Sequence, residues 1–203
     1  MPAGSVVAFW AVALLLIMVP GADWAFVLGV SLRGRSVLPA VGGLVLGYTG
    51  ITIVVAAGVG AVVGRSPALL GVLTVVGGCY LIWHGATTFA RPAAASVAAG
   101  ALAADSGRAV MVRGLGVSAL NPKGLLIFLA LLPQFTNPRW GWPLTAQLGL
   151  LGLVFAASCG AFYLGLGSAA RKILGARPAA ARAVTRFSGA AMAVIGVLLL
   201  VRH

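Results

Sequence analysis

Six long apolar stretches separated by short polar or basic punctuation divide the chain, at about residues 5–31, 38–63, 67–90, 109–132, 144–168 and 180–201. Their runs of Ala, Leu, Val and Gly do not alternate, unlike the shorter strands of a membrane β-barrel. Each is near the length of about 20 apolar residues that a helix needs to cross the hydrocarbon core. The pattern predicts an all-α membrane protein with six transmembrane helices in a single domain, residues 1–203. Connections are short except for 91–108, an Ala-rich segment carrying Pro92, Ser96, Asp105 and Ser106. It separates two halves of three spans each, about 1–90 and 109–203. Three is odd, so halves that share a fold lie in opposite orientations, the inverted-repeat plan of many secondary transporters.

Two of these stretches are interrupted. The first contains Val19-Pro20-Gly21-Ala22-Asp23 and the fourth Leu120-Asn121-Pro122-Lys123-Gly124. A proline within a span frees a backbone carbonyl, which the bilayer tolerates only where protein or a water-filled cavity satisfies it. The breaks at Pro20-Gly21 and Pro122 to Gly124 fall in the first span of each half, so the expected fold is two inverted three-helix repeats, each with its first helix broken at proline. One break carries an acid and the other a base. A charge near the bilayer centre costs about 2.5 to 3.5 kcal/mol on insertion scales, so both point to a working site.

Composition changes the picture little. The chain is 61% hydrophobic and 8% charged, with a mean hydropathy of +1.10, far from a soluble domain in which about a quarter of residues are charged. The net charge of +12 is spread between the apolar spans and never forms a basic helix or a basic run interleaved with aromatics, so nucleic acid is not an expected partner. Lys and Arg are retained on the cytoplasmic side. Arg33 and Arg35, Arg91 and Arg108, and Arg171, Lys172 and Arg177 mark the first, third and fifth connections, with Arg113, Arg182 and Arg186 close by; only Arg65, Arg139 and Arg202 mark the other side. Both termini are therefore expected to be extracytoplasmic. No Lys or Arg precedes the first span, which reads as a mature helix rather than a cleaved leader.

The chain has two acids, and Asp23 is the one within a span. After the Pro20-Gly21 break it caps a new half-helix, serves as a pathway acid, or does both. Lys123 is the basic residue placed mid-span, where the dipole of a following half-helix disfavours it. It needs an anion: Asp23 in the resting protein, or a substrate carboxylate. Asn121 either bonds carbonyls freed by the break or contacts substrate. His84, one helical turn beyond Tyr80, is left open between a proton relay and a polar residue reaching for the interface. Trp10, Trp140, Trp142 and Tyr163 read as interfacial anchors or packing. Cys79 and Cys159 lack metal-ligand or CxxC spacing and read as small buried thiols. The glycine content makes the pairs Gly43/Gly47 and Gly60/Gly64 unremarkable, so they read as packing positions. No enzyme constellation, metal site, cofactor motif or nucleotide-binding loop is present, which leaves an ion or substrate gradient as the energy source.

Along nearly its whole length the chain resembles the LysE/RhtB family of amino-acid exporters. Pro20-Gly21-Ala22-Asp23 is similar to the family's PGPD motif, with Ala22 in place of the second proline. Gly34 and the Gly43 to Gly47 region match its glycine positions, and the segment from Gly78 through Cys79, Tyr80, Leu81, Ile82, Trp83 and His84 to Gly85 is similar to its third-span signature. Asn121-Pro122-Lys123, followed by Phe128, Pro133, Gln134 and Phe135, is similar to its NPK…F…PQF stretch. The resemblance implies export of amino acids or similar zwitterions across the bacterial inner membrane by proton exchange, with oligomeric state left open. Asp23 would meet a substrate ammonium or a proton; Lys123 and nearby half-helix N–H groups would meet a carboxylate. Two alternatives remain. A membrane thiol-disulfide carrier is disfavoured because Cys79 and Cys159 are closer in sequence than the two breaks and are not equivalent positions. An inorganic cation exporter is disfavoured by the lack of a Cys, His or carboxylate cluster.

Overall fold

The computed structural model describes residues 1–63 and 106–173, with isolated helical residues between 75 and 90 and between 190 and 201. The expected spans 67–90 and 180–201, the connection 91–105, His84 and Asp105 lie wholly or largely outside the described residues. Among the described residues the structure is all helical. Helix α1 (Ala3–Ile17) and α2 (Ala22–Leu32) make up the first apolar stretch, and α3 (Leu38–Val63) is the second. The fourth stretch begins with α4 (Gly107–Ala119) and continues as α5 (Pro122–Leu126), a π-helical turn (Ile127–Leu131) and a 3-10 turn (Leu132–Phe135). Helix α6 (Leu144–Ile173) is the fifth, and it runs past the expected end at Ser168 to include Arg171 and Lys172.

Leu38–Gly58 of α3 and Leu144–Ala169 of α6 are each long and apolar enough to cross a membrane. The helix pairs Ala3–Ile17 with Ala22–Ser31, and Gly107–Ala119 with Lys123–Phe135, qualify only when each is taken as one span, bent by 62° and 50° respectively. Local chemistry sets these bends. Pro20 lacks an N–H, and α2 restarts after an extended Gly21. At the second break Asn121 caps α5, its side chain accepting from the Lys123 N–H, and Pro122 takes the first turn, where no intrahelical donor is needed. Gly34, with φ of 79°, follows the end of α2.

Helix α3 is the central strut, packed most extensively on α4 and then on α6. Small residues permit the first contact. A Cβ at Gly43 would lie 2.1 Å from the Met111 carbonyl oxygen, one at Gly47 would lie 1.9 Å from Ser118 Oγ, and one at Gly114 would lie 2.6 Å from the Ala40 carbonyl oxygen. Gly43 and Gly47 thus hold the two halves of the chain together, which gives their spacing a purpose that composition did not reveal. The main core gathers Phe9, Leu16, Leu44, Tyr48, Phe128, Leu151, Phe155 and Tyr163. Within it Tyr48 stacks on Phe128 at 6.0 Å, and Phe155 meets both rings edge-on. Cys159 is buried, but Cys79, expected to be buried as well, is exposed. An apolar span in lipid has no need to hide its apolar face, so hydrophobicity alone does not mark the protein-facing side.

Candidate functional site

The two breaks meet. Asp23, in the first turn of α2 rather than at its cap, is 1% exposed, and Asn121 and Lys123 of the second break are 4% and 3% exposed. The Asn121 amide donates to Asp23 Oδ1 at 3.1 Å, a contact between residues far apart in sequence and on opposite halves of the chain. Its side-chain oxygen is occupied by the Lys123 N–H, which fixes the amide's orientation. Asn121 therefore joins the acid to the second break, and its bonds do not go to freed carbonyls.

Two tyrosines complete the carboxylate's surroundings. Tyr48 of α3 donates to Asp23 Oδ2 at 2.6 Å, and Tyr163 of α6 donates to the same oxygen at 3.2 Å; both are 1% exposed. Asn121 Nδ2 also approaches the Tyr48 hydroxyl at 3.4 Å. Sequence reasoning missed Tyr48 and placed Tyr163 among the anchors and packing residues. A lone tyrosine in an apolar helix carries no pattern that separates a buried donor from a packing ring. The available signal was the acid itself: a mid-span carboxylate requires donors, and few side chains in these spans can donate.

Lys123 does not close an ion pair with Asp23; no oxygen of that carboxylate lies within 4.0 Å of its ammonium. The ammonium instead donates to the carbonyl oxygens of Leu16 at 3.3 Å and Val19 at 3.0 Å. Both carbonyls lie at the negative end of the α1 dipole; that of Leu16 also accepts the Val19 N–H at 3.1 Å, and that of Val19 lies past the end of the helix. The neighbouring Ile17 carbonyl is taken by the Trp24 indole at 2.9 Å. Each charge is thus satisfied by neutral dipoles, Lys123 by carbonyls at the first break and Asp23 by Asn121 of the second break together with Tyr48 and Tyr163. Two glycines flank this arrangement, Gly21 just before α2 and Gly124, expected at the break, within α5. A Cβ at Gly21 would stand 3.5 Å from Lys123 Nζ, and one at Gly124 only 2.7 Å from the Tyr48 ring. Of the expected site residues, Asp23, Asn121, Lys123, Gly21 and Gly124 come together, Pro20 and Pro122 lie at the breaks beside them, and His84 is outside the described residues. Among the described residues no three His, Cys, Asp or Glu side chains gather in a way that could hold a metal.

A buried acid, a buried base and two bent helix pairs in an apolar helical bundle define a polytopic membrane protein with a charged interior site. The sequence model of the LysE type translocators matches residues 14–203, and the chain belongs to that family. Relatives include an uncharacterized membrane protein of Vibrio cholerae, 31% identical over 60% of this chain and 60% of its own length. A leucine efflux protein of Klebsiella pneumoniae is 27% identical over 62% of this chain and 60% of its own length. A homoserine/homoserine lactone efflux protein of Salmonella typhimurium is 27% identical over 81% and 80%. The chain thus spans about 60% of the length of the first two of these relatives. No solved structure gives a significant match.

Proposed function

We propose that this protein is a secondary exporter of amino acids or similar small zwitterions, working by proton antiport across the bacterial inner membrane, and that it is not an enzyme. The observation that carries the reading is the buried meeting of Asp23 and Lys123, held by separate neutral partners rather than by each other. A purely structural pair gains most from direct contact, because desolvation is offset only by close Coulombic approach. Two charges kept apart suit a ligand that brings one charge of each sign. Asp23 supplies the negative charge for an ammonium or a proton, and Lys123 the positive charge for a carboxylate. Relatives named for leucine and for homoserine efflux support this substrate class.

The inverted-repeat plan belongs to the same proposal. It is supported by two bent helix pairs, each early in its half and each followed by a long helix. Alternating access then rocks one half against the other around the breaks. The deciding experiment is efflux from proteoliposomes against a panel of amino acids, with and without an imposed proton gradient. Gradient-dependent export of at least one amino acid is expected; export of none would overturn the reading. Under the thiol-carrier alternative, Cys79→Ser combined with Cys159→Ser abolishes activity, whereas amino-acid export survives it.

A further inference from the structure

Asp23 has too few free acceptor positions to hold a substrate ammonium by itself. A carboxylate offers about four acceptor positions. Three are filled, by Tyr48 and Tyr163 on Oδ2 and by Asn121 on Oδ1. A primary ammonium carries three donors, so Asp23 alone cannot satisfy it without expelling the residues that hold the acid in place. The acceptors that do suit an ammonium are already on display. The Leu16 and Val19 carbonyls hold one now, in a fully buried setting, and Gly21, two residues before Asp23, leaves the space beside it without a side chain.

We propose that the carbonyl pair of Leu16 and Val19 at the end of α1 is the seat for the substrate's ammonium, and that Lys123 fills it in the empty carrier as a tethered stand-in. This rests on the export reading and names the subsite within it. An incoming amino acid exchanges one ammonium for another, so the Val19 carbonyl is never left bare in a low-dielectric interior, while the Leu16 carbonyl keeps the Val19 N–H throughout. The displaced Lys123 takes the carboxylate of the same molecule, an anion it lacks in the empty state. A simple amine can evict Lys123 but gives it no anion, and a simple carboxylic acid cannot evict it. The exchange therefore selects molecules that carry both groups, with N–H donors on the nitrogen.

Two measurements on the full chain test this. In the first, Lys123→Ala is purified and its thermal unfolding is followed with propylammonium, the fragment that the substitution deletes, and with tetramethylammonium, which has the charge but no N–H. Propylammonium should raise Tm saturably and recover roughly half or more of the loss, while tetramethylammonium leaves it unchanged. Equal responses to both, or to neither, overturn the seat. In the second, wild-type protein in proteoliposomes is given leucine and its N,N,N-trimethyl derivative. A hydrogen bond to a charged group is worth about tenfold or more, so the trimethylated compound should leave at least about tenfold more slowly. Equal rates overturn the proposal. The second measurement needs no variant, so it decides alone should Lys123→Ala fail to fold. Absence of any amino-acid export would defeat the export reading, and the propylammonium response would still decide the seat.

Discussion

At the scale of the residue, the site is a set of neutral dipoles built around two separated charges. Asp23→Asn removes the charge that three donors converge on, and Lys123→Met leaves the Val19 carbonyl without the ammonium that serves it. Each should abolish export and cost about 1 to 3 kcal/mol of stability, the price of stranding buried polar groups. The double variant restores net neutrality, so part of the stability should return while export stays absent; near wild-type export by the double variant would place the site elsewhere. Tyr163→Phe is milder, because the shorter Tyr48 bond to the same oxygen remains. Transport assays should show about a tenfold loss, against a complete loss for Asp23→Asn. Unchanged export in Tyr163→Phe would reduce that residue to packing. Asp23, Asn121 and Lys123 were legible in the sequence because polar groups inside apolar spans are costly and so stand out. Their partners were not, since backbone carbonyls of Leu16 and Val19 have no sequence signature and the tyrosines resemble core aromatics.

At the scale of the element, proline announces where helices stop: α2 restarts just past Pro20 and Gly21, whereas α5 begins at Pro122 itself and carries Gly124 within it. Helix α3 occupies Leu38–Val63, the same stretch that hydropathy marks out. The π-helical turn at Ile127–Leu131 was invisible, because a run of Ile, Phe, Leu and Ala does not specify which carbonyl each N–H selects. Nor did the sequence rank its glycines. Gly43 and Gly50 lie on the same helix, yet a Cβ at Gly43 would collide with the α4 backbone, while one at Gly50 would meet nothing within 4 Å. Gly43→Ala should therefore lower Tm in detergent, with a cost of about 1 to 3 kcal/mol, because backbone cannot step aside as a flexible side chain can. Gly50→Ala should hold or raise Tm, since alanine is the better helix former by about 1 kcal/mol. Equal responses from the two variants would show that α3 and α4 are not packed through Gly43.

At the scale of the whole molecule, the contacts sort the basic residues by end. Ser31 near the end of α2 donates to the Gly167 carbonyl late in α6, and a Cβ at Gly107 at the start of α4 would touch Pro39 at the start of α3. These contacts gather the chain around Arg33, Arg35, Arg108 and Arg171 at one end of the bundle. Arg139 lies instead in the segment between the 3-10 turn and α6, beyond the far end of the second bent pair. Charge retention then argues that the crowded end faces the cytoplasm, which sends the start of α1 toward the other side. The six spans expected from hydropathy would return the carboxyl terminus to that same side. A reporter that is active only outside the cytoplasm should therefore work when fused after His203, and one fused within 91–105 should not. Activity in the opposite pattern would invert the bundle. The site would then keep its geometry, because Asp23 and Lys123 are held by Asn121, Tyr48, Tyr163 and the Leu16 and Val19 carbonyls whatever the orientation, but each side of it would face the opposite compartment.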